Sequence, residues 1–334
     1  HLVAAVFMIL TAWYGATAEG GVDFATIFSL YSLSVAFYMP TIALSNSVAY
    51  TALRQAGMDT VKDFPPIRVF GTVGFILTMW FVDIMGFQTN HWQFVTSAVI
   101  GIVLFLYSFT LPQCPVAKGD EHRSLSEAFG LQAFTLFRQK QMALFFIFSM
   151  LLGISLQITN GYANPFISSF ASEPEFADTF GVQHANILIS LSQISETLCI
   201  LLIPFCMKRF GIKNVMLISM LAWVLRFGLF SVGDPGSGVW MFILSMIVYG
   251  VAFDFFNVSG SLFVDQNTTP EIRSSAQGLF MLMTNGIGGT IGVIAAQQII
   301  NAYTHGMKIG DQFYTVGEWS TCWFIFSAYA LVGD

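Results

Sequence analysis

Long apolar runs alternate with short polar connections along the whole chain. Runs of about 20 residues suffice to cross a bilayer as helices, because a helix satisfies its own backbone hydrogen bonds inside the hydrocarbon. Hydropathy divides the sequence into about ten spans, roughly 1–18, 25–52, 67–86, 92–112, 141–170, 184–207, 214–232, 239–264, 274–300 and 319–334. The connections carry a second pattern. Arg54 and Lys62, then Lys118, Arg123, Arg138 and Lys140, then Lys208, Arg209 and Lys213, then Arg273 fall in alternate loops. The opposite loops hold Lys308 and the acids Glu19, Asp23, Glu173, Glu175, Asp178 and Asp234. Cytoplasmic loops collect Lys and Arg, so the alternation supports the division into spans, which a miscounted span would scramble.

The longest polar connection separates four spans from six and predicts an N-terminal half over 1–112, a cytoplasmic linker over 113–140 and a C-terminal half over 141–334. Secondary transporters are commonly built from two related helical halves, and a pair of six-helix halves fits this chain if two helices precede it. The chain opens at His1 inside an apolar run, with neither a basic flank nor a cleavage site, so a fragment is expected and not a signal peptide. Within the linker, SLSEAFGLQAFTLFRQK is amphipathic and reads either as a plain connection or as a helix lying in the membrane interface.

Composition agrees. The chain is 55% hydrophobic and 10% charged, with 35 Phe, whereas soluble domains carry about a quarter charged residues. The expectation is an all-α multi-pass membrane protein with the lipid bilayer as its surroundings. No basic patch interleaved with aromatics points to nucleic acid. Cys114, Cys199, Cys206 and Cys322 lack CxxC spacing, the five histidines lack ligand spacing, and no phosphate-cradling GxxxxGK[ST] loop occurs. These patterns predict no metal, no cofactor, no bound ATP as the energy source and no enzyme. A receptor would more naturally have seven spans.

The chemistry lies in the polar residues inside the spans. In DFPPIRVFGTVGF, Pro65 and Pro66 read as the start of a helix, since proline is tolerated in a first turn. Arg68, Thr72 and Phe75 follow at i, i+4 and i+7 and share one helix face. Arg68 either faces a ligand or runs its stem along apolar surroundings toward interfacial water. Glu196 and Asp254 lie near the middles of their spans, where an ionisable residue is a functional candidate by default. A carboxyl group in a low-dielectric cavity binds a proton readily, so either is a candidate proton site; the other reading is an ion pair with Arg226 or Arg68. Gln157, Asn160 and Asn164 occupy one face of their span, and Gln193 and Glu196 one face of the next. Amides there bond either a solute or a neighbouring helix. Phe253 is placed to stack on a flat ring. Gly288 and Gly292 have the spacing of close helix packing.

Taken together, the runs AGMDTVKDFPPIRVFGTVGF, FFIFSMLLGISLQITN, LSQISETL, RFGIKNVMLISMLAWVLRFGLF, LSMIVYGVAFDFFNVSGSLFV and IRSSAQGLFMLMTNG resemble the bacterial permeases of the nucleoside:proton symporter family, within the major facilitator superfamily. The similarity runs over nearly the whole chain, from that family's third helix to its twelfth. It implies a major facilitator fold with about ten of twelve helices present, in the cell inner membrane, with nucleosides (purine and pyrimidine, uridine among them) and protons as partners, and a monomer. It also implies import by alternating access. The nucleoside-binding positions it implies are Arg68, Thr72, Phe75, Gln157, Asn160, Gln193, Glu196, Phe253 and Asp254. KRFGIK at Lys208 to Lys213 resembles a degenerate form of the superfamily's gating loop, without its acidic partner. The competing expectation is a major facilitator carrier for a sugar or another hydroxylated solute.

Overall fold

The computed structural model describes residues 1–18, 21–87, 90–114, 130–310 and 312–333. Each expected span is helical. The helices are α1 (Leu2–Thr17), α2 (Phe24–Gln55), α3 (Thr60–Ile84), α4 (Trp92–Ser108) and α5 (Lys140–Ser169). The run Ala185–Val232 breaks at Gly211 (φ 76°, ψ 158°) into α6 (185–210) and α7 (212–232). A left-handed φ at a single residue is the conformation glycine adopts without penalty. Then come α8 (Val239–Gln266), α9 (Arg273–Tyr303) and α10 (Trp319–Gly333).

Three expectations change. Helix α3 begins at Thr60, so Pro65 and Pro66 lie inside it and Lys62 belongs to its first turn. Proline's fixed φ is compatible with a helix; what it removes is an N–H, here from the bonds to Val61 and Lys62. Residues 304–317, read as loop, form an antiparallel hairpin of β1 (Thr304–Ile309) and β2 (Gln312–Gly317). Its turn has Gly310 at φ 63°, and Trp319 Nε1 donates to the Thr315 carbonyl at 2.9 Å, tying the hairpin to α10. Of the amphipathic linker stretch, 124–129 lie outside the described residues, as do Glu19, Lys118 and Arg123. The remainder forms a 3-10 run, Leu131–Arg138, with Ala133 and Leu136 buried.

The helices gather into two compact units, one of residues 1–60 and 73–122, the other of 61–72 and 123–334. In the first, α1 packs between α2 and α4. Ser34 Oγ donates to the Ala4 carbonyl at 2.8 Å, and Phe7 stacks on Phe37 with centroids 6.1 Å apart. Asp23 caps α2, accepting from the Thr26 N–H at 2.9 Å and the Thr26 hydroxyl at 2.8 Å, which satisfies one of the unpaired donors of a helix start.

The second unit carries an aromatic interior. Phe166 meets Phe230, Phe242, Trp319 and Trp323 with centroids 5.4–5.6 Å apart, and Phe145 meets Phe256, Phe263 and Phe280. Lipid tails are as apolar as Phe, so such a bundle is held by close packing and hydrogen bonds more than by hydrophobic transfer. Close approach is plainest between α5 and α9. A Cβ on Gly153 would strike the Thr284 carbonyl, one on Gly288 the Met150 carbonyl, and one on Gly292 would lie 2.9 Å from Ile154 Cα. Along this contact α9 widens into a π-helical turn, Leu282–Gly288.

Candidate functional site

Helices α3, α6 and α8 bring the ionisable residues of the second unit together. Arg68 and Thr72 are one turn apart on α3, Glu196 is on α6 and Asp254 on α8. Thr72 is 2% exposed and donates its hydroxyl to Glu196 Oε1 at 2.7 Å. Arg68 is half-buried, and its guanidinium folds back over Gly71, where an added Cβ would sit 2.6 Å from Nη1. Glu196 and Asp254 are 4% and 0% exposed. Arg68 is within electrostatic reach of both, and the two carboxyl groups are within reach of each other.

Asp254 is exceptional. Both of its carboxyl oxygens are buried without a hydrogen-bond partner. An isolated ionised carboxylate is costly in such surroundings. It is accommodated when it holds a proton or when donors of a solute reach it.

The alternative reading, an ion pair between these acids and Arg226, has no such contact among the described residues. Arg226 is itself 2% exposed and donates from Nε to Thr159 Oγ1 at 2.9 Å and from Nη1 to the Ser245 carbonyl at 2.7 Å. Its guanidinium carbon lies 4.7 Å from the Tyr249 ring centroid and 4.9 Å from that of Phe230. Hydrogen bonds and ring faces compensate this cation in place of an anion.

Gln193, on the α6 face of Glu196, is half-buried, and its side chain lies within reach of the Tyr249 hydroxyl. The Tyr249 ring stacks on Phe253 at 5.8 Å and 24°. Sequence reading passed over Tyr249. Its signal was a position one helical turn before Phe253, too weak to stand out where aromatic residues make up 16% of the chain.

Gln157 lies against Gly289 of α9, and Asn160, exposed, is three residues further along α5. Neither hydrogen-bonds to the α6 or α8 groups among the described residues. Asn164 bonds Asn186 of α6 at 2.6 Å and is a helix-to-helix contact. Phe75 lies on α3 three residues beyond Thr72 and is 56% exposed.

Comparison with known proteins completes the description. The family model "Nucleoside H+ symporter" matches residues 1–333. Nucleoside permease NupG of Escherichia coli (strain K12) is 52% identical over 296 residues, 88% of this chain and 69% of the relative. Xanthosine permease of the same organism is 51% identical over 296 residues, with the same two shares. A crystal structure of a mutant of the nucleoside transporter NupG superposes with a TM-score of 0.78 at 47% identity, covering 99% of this chain and 81% of that one.

Proposed function

The chain belongs to the nucleoside H+ symporter family and is a nucleoside transporter with a major facilitator fold, not an enzyme, and from that premise we propose which groups hold the solute and the proton. The nucleoside is bound by Arg68, Thr72, Phe75, Gln157, Asn160, Gln193, Glu196, Phe253 and Asp254. Glu196 or Asp254 takes the proton. The observation that carries this reading is the fully buried, unpartnered carboxyl of Asp254 beside a Glu196 already held by Thr72.

The chemistry follows from hydrogen-bond replacement. A nucleoside leaving water loses bonds that cost about 1–3 kcal/mol for each one left unmade. Sugar hydroxyls donate to the carboxylates, with the Thr72 hydroxyl yielding its place on Glu196. The amides of Gln157, Asn160 and Gln193 meet the edge of the base, and Phe253 or Phe75 meets its face. Protonation of a carboxyl discharges the site, so that the loaded carrier moves between its two openings without a buried uncompensated charge. Halves over 1–112 and 141–334, joined through 113–140, rock to alternate access. The working protein is a monomer importing purine and pyrimidine nucleosides across the cell inner membrane.

The test is uptake of labelled uridine by proteoliposomes holding the full-length protein, with and without an imposed pH difference. Asp254→Asn and Glu196→Gln are expected to abolish accumulation driven by the pH difference. Wild-type accumulation by both variants would remove the carboxylates from the mechanism.

A further inference from the structure

Arg226 is a buried ionisable group that the transport reading leaves unused. It is 2% exposed, too enclosed to touch a solute. Nor does it neutralise the acids, for the cation within reach of Glu196 and Asp254 is Arg68. A charge kept at membrane depth without an anion or a ligand is costly and calls for a function.

Its surroundings supply one. Through Thr159 Oγ1 it grips α5 at the residue next to Asn160, and through the Ser245 carbonyl it grips α8. Ser245 Oγ returns a bond to the Arg226 carbonyl at 3.0 Å. The guanidinium plane covers Tyr249, which is 4% exposed. Tyr249 also meets the site: its ring stacks on Phe253, and its hydroxyl lies within reach of Gln193. Tyr249 therefore touches both a fixed cation and the Phe253 ring assigned to nucleoside binding, with the Gln193 amide within reach.

We propose that Arg226 is a positioning residue for nucleoside binding, acting from behind the site by holding Tyr249 and, through it, the Phe253 ring beside the Gln193 amide. This rests on the placement of Gln193 and Phe253 in the binding site. Lysine is no substitute, because an ammonium lacks the planar face that covers the ring and the fork that reaches Thr159 and Ser245 together.

The experiment is a double-mutant cycle read by isothermal titration of uridine into the full-length protein in detergent, on fractions that elute as folded protein. Arg226→Met and Tyr249→Leu, which removes the ring that Arg226 and Phe253 both meet, are each expected to raise Kd on the order of tenfold, and the double variant to bind little worse than the weaker single, as residues acting as one unit do. A structural role unconnected to the site would leave the Kd of the folded fraction unchanged, or would make the two effects multiply; either result overturns the proposal. Should Arg226→Met fail to fold, Thr159→Val, which removes the acceptor of the Nε–H, takes its place under the same criteria. Gln193→Ala is measured alongside. If it leaves Kd unchanged, the reading of the site falls and the proposal with it; if it weakens binding while the Arg226 arm is silent, only the proposal falls.

Discussion

Arg68 is held back over Gly71, and the absence of a side chain at that glycine is what lets the guanidinium lie there. Gly71→Ala is therefore expected to displace Arg68 while leaving the other groups assigned to the solute unchanged, weakening uridine binding on the order of fivefold by titration, the lower range of coupled effects. Arg68→Ala should weaken it at least as much, and an unchanged affinity would make Arg68 a snorkelling side chain. Thr72→Val keeps the volume and removes the hydroxyl donated to Glu196. It is expected to cost binding while leaving protein yield near wild type, since the hydroxyl serves the site and not the packing. At this scale much was legible beforehand. A charge or amide inside an apolar run is conspicuous, so Glu196, Asp254, Arg68 and Gln193 stood out. Tyr249 did not, because an aromatic among apolar residues carries no such contrast, and the partners of Arg226 are hydroxyl and carbonyl groups that any helix possesses.

The helices were legible for a simple reason, that a bilayer demands runs of fixed length. Their ends were less so. The prolines of α3 point to a boundary that the chain passes over, since proline's fixed φ suits a helix and the N–H it lacks is least missed near the helix start. The stretch 304–317 carried a Gly-Asp pair between two short runs, a hairpin signal in sequence masked by its place between two strong apolar spans. The close approach of α5 and α9 was foreshadowed by Gly288 and Gly292, but not the part of Gly153, which lacks a glycine partner at the packing interval on its own helix. Gly292→Val should push α5 and α9 apart, costing about 1–3 kcal/mol as overpacking does. A lowered midpoint for thermal loss of the monodisperse peak in detergent would show it, and an unchanged midpoint would mean that the helices part freely.

For the molecule as a whole, the question is what kind of solute the assembled site accepts. A site that meets a flat base as well as hydroxyl groups should let unlabelled adenosine compete for uridine uptake, while a disaccharide at the same concentration leaves uptake unchanged. Displacement by the disaccharide alone would move the chain to the sugar-carrier expectation. The architecture was within reach of the sequence because alternating loop charge and apolar length are properties of the entire chain. Which side chains share one volume was not, because that depends on the rotation of each helix about its axis, and amphipathic contrast is weak when both lipid and core are apolar.

The widened turn at Leu282–Gly288 has a consequence for α9. Such a turn holds one residue more than regular winding needs, so the faces before and after it are out of step in sequence while remaining in step in space. Excising Asn285 should let the segment rewind as an ordinary α-helix with Gly292 still seated on Ile154, whereas excising Gln297, in the regular part, would swing everything after it by about 100°. A shortened chain of the first kind should still reach the membrane, and one of the second kind should not.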